Sequence, residues 1–299
     1  MTSNATQEDV YWHSRDGLRL HARRYPPATG GDPGRRGTVV CIPGLTRNAA
    51  DFDLPARMMA SAGWQVFAVD LRGRAGSQRA PNPRSYNPRT YADDVAGLLE
   101  SRSIPSAVFV GTSLGVLVTM TLAVRKPALV AGAILNDAGP EVPREALDRI
   151  GRYAGKPVPP MDHEAAARYV ESIGRTSFPG YGPDDWRAMA RRMFRERDDG
   201  LLELDYDPAI VRTVNPWVLR LMRPLLWRAW RKLGHRRPLL VLRGALSDVL
   251  AADTARRMVD VADDARLVEV PGVGHAPMLT EPEACAAIAA FLARMPSLA

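Results

Sequence analysis

The chain has 299 residues, 46% of them hydrophobic and 24% charged, with a formal net charge of +7. That length and composition suit one sizeable core with an insertion, and argue against disordered, fibrous and repeat architectures. The positive excess is arginine, paired at 23–24, 35–36, 191–192, 236–237 and 256–257; without zinc-finger spacing or an RNA-binding signature it reads as a solvated surface, and no nucleic-acid partner is expected.

Residues 1–10 read as a loose polar tail, with neither the basic start nor the apolar stretch of a signal peptide. Val10 to Tyr25 alternates in part and breaks at Asp16-Gly17, a hairpin signal. A Pro/Gly-rich loop spans 26–37. Thr38 to Ile42 is then continuously apolar and ends at Pro43-Gly44, as suits a strand buried on both faces. Helix is expected over 54–63, strand over 65–70, helix over 91–102, strand over 107–110, helix over 114–125 and strand over 130–136. After an interruption come a strand at 239–243, a helix at 251–262, a strand at 266–270 and a helix at 283–294. This alternation predicts an α/β fold with a mostly parallel sheet covered on both faces.

The interruption, 139–237, is rich in Pro, Gly and Arg and holds every tryptophan except Trp12 and Trp64. Helical stretches are expected in it around 144–153, 163–173, 184–197 and 215–233. It is expected to be a helical cap on a core formed by 1–138 and 238–299. Cys41 and Cys285 each sit in an apolar run and read as core residues, not as a disulfide. No apolar run approaches the roughly 18 residues of a membrane span. A cytoplasmic protein, monomeric or homodimeric, is expected.

Gly111-Thr112-Ser113-Leu114-Gly115 follows the apolar run Val108–Val110 and opens a helix. That is the setting of a nucleophile elbow: a serine on a strained strand-to-helix turn, where glycines remove colliding side chains. A serine hydroxyl needs a base. Of the five histidines, His13 and His21 lie in the N-terminal hairpin, and His163 and His235 lie in the insertion. Only His275, in Val270-Pro271-Gly272-Val273-Gly274-His275, follows a strand near the C-terminus, where a loop can carry it over the strand ends. The base needs an orienting carboxylate. Asp248, in the loop after the penultimate strand, is the first choice, because Ser113, Asp248 and His275 stand in the chain order such a site uses. Asp137, at the end of the strand over 130–136, is the alternative. Asp253, Asp263 and Asp264 read as caps or solvated carboxylates. Oxyanion donors are expected from the N–H groups of Leu114 and of Leu45, in Pro43-Gly44-Leu45.

These segments, with Asp70-Leu71-Arg72-Gly73-Arg74-Ala75-Gly76-Ser77 and Arg243-Gly244-Ala245-Leu246-Ser247-Asp248, resemble the α/β-hydrolase superfamily over about two-thirds of the chain, closest to capped single-domain esterases, lactonases and carbon–carbon bond hydrolases. The resemblance implies an eight-stranded, mostly parallel, doubly wound sheet with a helical cap after the sixth strand. The sequence departs from the family's pattern at Pro43, where histidine is usual, at Ala75, where glycine is usual, and at Val116, where many members continue the elbow with a second glycine.

A serine nucleophile excludes members that attack with aspartate. The expected function is hydrolysis of a carboxylic ester or lactone through an acyl-enzyme, on a small-molecule ester-like substrate. The alternative is carbon–carbon cleavage of vinylogous diketones, whose acidic substrates suit arginines near the site. A non-catalytic receptor would be expected to have a damaged triad. The apolar and basic stretch 219–232 suggests interfacial action, but such a stripe ordinarily packs on the protein body, and membrane contact is not expected. Trp186, Met189, Met193, Met222 and Trp227 are candidates to line the substrate pocket. No metal-ligand spacing, phosphate-cradling loop or dinucleotide fingerprint is present, so no cofactor or metal is expected.

Overall fold

A computed structural model describes residues 7–27, 36–212 and 216–298. Most of the loop expected at 26–37, the first six residues of the expected tail and Asn215 lie outside them. In chain order the elements are β1 (Glu8–His13), β2 (Arg19–Tyr25), β3 (Thr38–Ile42), α1 (Asp53–Ser61), β4 (Gln65–Asp70), α2 (Pro88–Ser101), β5 (Ala107–Thr112), α3 (Leu114–Arg125) and β6 (Val130–Asn136). Between β6 and the next sheet strand come α4 (Arg144–Gly151), α5 (His163–Gly174), α6 (Pro183–Met193), β7 (Phe194–Glu196), β8 (Leu202–Leu204), α7 (Pro216–Leu221) and α8 (Arg223–Gly234). The chain then returns through β9 (Pro238–Gly244), α9 (Ala252–Asp260), β10 (Asp264–Val270) and α10 (Pro282–Arg294).

Eight strands form one sheet in the order β1-β2-β4-β3-β5-β6-β9-β10. The β1–β2 and β2–β4 pairings are antiparallel and the remaining five parallel. The central strands are apolar along their whole length because helices cover both faces; Val39 to Ile42 and Val108 to Val110 have no exposed surface. Two apolar clusters follow, one on each face of the sheet. Parallel strands send their carboxyl ends to one edge, and the loops after β3, β5, β6, β9 and β10 meet there.

Two expected helices in the 139–237 stretch are divided. The helix expected over 184–197 stops at Met193, because Phe194–Glu196 turns back through Asp198-Asp199-Gly200 and pairs with Leu202–Leu204. Gly200 takes a left-handed φ of +77° there. The stretch 215–233 breaks at Met222, since Pro224 lacks an N–H and fits only the first turn of a new helix, α8. The α8 residues Trp227, Trp230 and Leu233 pack on the body, whereas Leu221 and Leu225 are exposed. No described helix is long and apolar enough to cross a membrane.

Candidate active site

The β5–α3 turn puts Ser113 at φ 53°, ψ −110°, a conformation that L residues rarely adopt. Its neighbours explain why the flanking residues are glycines. A Cβ at Gly111 would lie 2.5 Å from the Gly115 carbonyl oxygen, and one at Gly115 would lie 2.2 Å from the Ile42 carbonyl oxygen. The strain is held in place by backbone bonds from Ser113 N to Asn136 O (3.0 Å) and from Val116 N to Ser113 O (2.9 Å).

His275, on the loop after β10, meets this serine. Its Nε2 lies 2.9 Å from Ser113 Oγ. Its Nδ1 lies 2.8 Å from Asp137 Oδ2, with the histidine side chain 10% exposed and the aspartate fully buried. Asp137 follows β6 directly, in a left-handed conformation (φ 58°), and its N–H bonds to Leu242 O on β9. That turn sends the carboxylate inward beneath the imidazole. The Gly244 N–H (3.1 Å) and the Ser247 hydroxyl (2.7 Å) donate to the same carboxylate. Ser247 in turn accepts from the Val249 and Leu250 N–H groups, so its proton goes to Asp137. Three donors thus fix a buried carboxylate against the imidazole.

The acid first chosen from the sequence, Asp248, is not the one that touches His275. Its carboxylate accepts from Arg149 Nε (2.6 Å) and Nη2 (2.7 Å) on α4, and its side chain is 45% exposed. Burial alone would raise the Asp248 pKa, but the Arg149 bonds and charge outweigh it and hold the carboxyl below the usual carboxylate range. Chain order did not discriminate between the two, because both aspartates lie between Ser113 and His275.

Leu45 and Leu114 flank the serine, and neither N–H donates to a group in the described residues. The Leu45 loop is pinned from its carbonyl side by Arg74, whose Nε and Nη2 donate to Leu45 O at 3.1 and 2.9 Å. Arg74 is 1% exposed and also donates to Arg72 O and the Tyr91 hydroxyl. Its role was missed in the sequence, although it lies in the Asp70–Ser77 segment that carried the resemblance. Ala75, where glycine is usual, takes the left-handed conformation itself (φ 39°), and its N–H bonds to Asp205 O. Asn136 also went unnoticed: its Nδ2 donates to Pro277 O (2.8 Å) and Thr112 Oγ1 (3.1 Å), tying the histidine loop to the serine strand.

A cavity of about 130 Å³ opens on Ser113 and His275. Of the five expected pocket residues, Met189 and Met193 line it. The other three do not. Trp186 packs edge-on to Phe178 and against Tyr181 inside the cap. Trp227, on α8, is buried with its Nε1–H donating to Glu141, and Met222 is exposed. Helical spacing placed these side chains on apolar faces but could not say which face looked into the cavity. Ile150 from α4, Tyr153 just after it, and Val170 and Ile173 from α5, with Phe52 and Met278, supply the apolar wall instead.

A strained serine, an imidazole and a buried carboxylate at the carboxyl edge of such a sheet define a serine hydrolase type of site. The comparisons agree with that class. The profile of the alpha/beta hydrolase family matches residues 39–288, and the chain belongs to that family. It is 33% identical over 258 residues to a 3-hydroxybutyrate-oligomer hydrolase of Cupriavidus necator, covering 84% of this chain and 87% of that one. It is 30% identical over 233 residues to a 2-(acetamidomethylene)succinate hydrolase of Mesorhizobium japonicum, covering 78% and 79%. Among solved structures it is similar to an alpha/beta hydrolase from Novosphingobium aromaticivorans, with a TM-score of 0.86, 40% identity and 97% and 99% coverage.

Proposed function

We propose that the protein is a carboxylic ester hydrolase that works through an acyl-enzyme on Ser113. The observation that carries this reading is the unbroken relay from Ser113 Oγ to His275 Nε2 (2.9 Å) and from His275 Nδ1 to Asp137 Oδ2 (2.8 Å). Ser113 Oγ attacks the ester carbonyl carbon while its proton passes to His275 Nε2. Asp137 holds the tautomer that leaves Nε2 free to accept, and stabilises the imidazolium once formed. The Leu45 and Leu114 N–H groups receive the oxyanion. Collapse breaks the bond to the alcohol, which leaves with the proton from His275. Water then repeats the sequence and releases the acid.

The similarity to a 3-hydroxybutyrate-oligomer hydrolase supports this reading over carbon–carbon cleavage, because 3-hydroxybutyrate units are joined by ester bonds. The cavity, of about 130 Å³, favours short acyl groups over long ones. The test is hydrolysis of p-nitrophenyl esters from acetate to decanoate beside Ser113→Ala. Turnover by the wild type with an optimum at short chains, lost in the variant, is expected. Labelling of Ser113 by a fluorophosphonate without turnover of any ester would overturn the substrate assignment while leaving the nucleophile intact.

A further inference from the structure

Two arginines border the cavity, and the relay uses neither. Arg47 stands two residues after Leu45, and Arg149 comes from α4. Each is gripped by one carboxylate. Asp51 accepts from Arg47 through Nε (2.5 Å) and Nη2, and Asp248 accepts from Arg149 at 2.6 and 2.7 Å. Arg192 also pairs with Asp51, at 3.3 Å. Three guanidiniums therefore share two carboxylates, and the cluster keeps one positive charge in excess. Tyr153 lies against Arg149 and within the field of Arg47. Asp51 and Asp248 both engage Nε and Nη2, so Nη1 of each cavity arginine has no carboxylate partner among the described residues.

Ile150, Val170, Ile173, Met189 and Met193 surround the same space, which Asp51 also borders. Each guanidinium is compensated by its own carboxylate, and the N–H groups that this pairing leaves over can take a second acceptor. A planar fork held rigid by its own carboxylate loses little entropy on taking a second one, and its geometry matches a carboxylate. We propose that the cavity selects esters bearing a free carboxylate elsewhere in the molecule, received by Arg149 and Arg47. Asp248 is then a positioning residue that aims Arg149. The inference rests on the ester-hydrolase reading for its chemistry and adds the substrate class.

Two substrate pairs test it, each an acid beside its methyl-capped, neutral counterpart. Mono-4-nitrophenyl glutarate puts the charge on the acyl side, and 3-acetoxybutyrate puts it on the alcohol side. The acid of at least one pair is expected to have the higher kcat/KM, by about tenfold to a hundredfold. Arg149→Gln is expected to erase that ratio, Arg149→Lys to restore part of it, and Asp248→Asn to lower it about threefold to tenfold. A change in the ratio, as opposed to both rates together, is what a merely structural role would not produce. Turnover of all four esters with no preference for either acid overturns the inference and leaves the hydrolase reading standing. If no ester turns over, protection of Ser113 from fluorophosphonate by glutarate decides the matter. Protection that Arg149→Gln abolishes keeps the anion site. Absence of protection, or equal protection by inorganic phosphate, overturns it.

Discussion

The chain leaves β6 through Asp137 and leaves β9 through a loop that carries Asp248, and the two exits differ in what they do with an aspartate. Asp137 sits directly on its strand end, fully buried, in a left-handed conformation that drives its carboxylate under His275. Asp248 comes four residues after β9, remains 45% exposed, and spends its carboxylate on Arg149 of α4. Only Asp137 reaches the His275 ring, at 2.8 Å; enclosure and the direction of the turn put it there. A carboxylate that must hold an imidazole needs its remaining oxygen sites filled from a rigid frame, and Gly244 and Ser247 fill those of Asp137. Asp248 faces solvent and the cap, where an ion pair with a helix is the better use.

The sharpest way to break this contrast is a pair of isosteric changes measured on one neutral short-chain p-nitrophenyl ester. Asp137→Asn is expected to cut kcat by about 10³- to 10⁴-fold, because an amide can favour the wrong imidazole tautomer. Asp248→Asn is expected to cost less than about tenfold on the same ester. If the two losses come out equal, or in reverse order, the assignment of roles to the two loops fails.

Much of this was legible in the sequence, and the boundary of legibility is physical. The strands β3 to β6 and β9 announced themselves because burial on both faces demands unbroken apolar runs. The elbow was readable because the Ile42 and Gly115 carbonyls leave no room for a Cβ at Gly115 and Gly111. The choice between Asp137 and Asp248 depends on a backbone φ and on a partner 99 residues from Asp248, neither of which a chain order encodes. The cap was harder for a similar reason. Apolar spacing marked Trp186, Met189 and Met193 as one face of α6, but whether a side chain looks at the cavity or at Phe178 is set by packing between α5 and α6.

Arg74 tests the same contrast from the oxyanion side. Among the described residues it has no carboxylate partner; its charge is spent on the Leu45 and Arg72 carbonyls and the Tyr91 hydroxyl, with the Tyr91 ring 4.9 Å from its guanidinium. Arg74→Met removes the donors and leaves these acceptors buried. A fall in kcat of about tenfold to a hundredfold is expected, with a stability loss of about 2–4 kcal/mol. The check is kcat measured well below the variant's unfolding temperature. If kcat there equals that of the wild type, Arg74 holds the fold and not the oxyanion loop.

The smallest effect lies where the chain after β8 meets the Gly73–Gln78 loop. Asp205 accepts the Ala75 N–H through its backbone oxygen, while its carboxyl lies 3.9 Å from Arg195. Burial, and after it the charge of Asp70, pushes its pKa up to about 6. The unfolded chain then ionises this group near 4 and the folded protein only near 6. Over that window the folded state holds the extra proton, so this group lowers stability as pH rises from about 4 to about 6, and the loss persists above. With one-fifth of the side chain exposed, about 1–2 kcal/mol is at stake at neutral pH. Asp205→Asn carries no charge to desolvate. It is expected to raise Tm by roughly 2–4 °C at pH 7 and to leave it nearly unchanged at pH 4. Thermal melts of both proteins at the two pH values check this. A gain of equal size at both would trace the effect to packing, and a loss at pH 7 would mean that the Arg195 pair outweighs the burial of the charge.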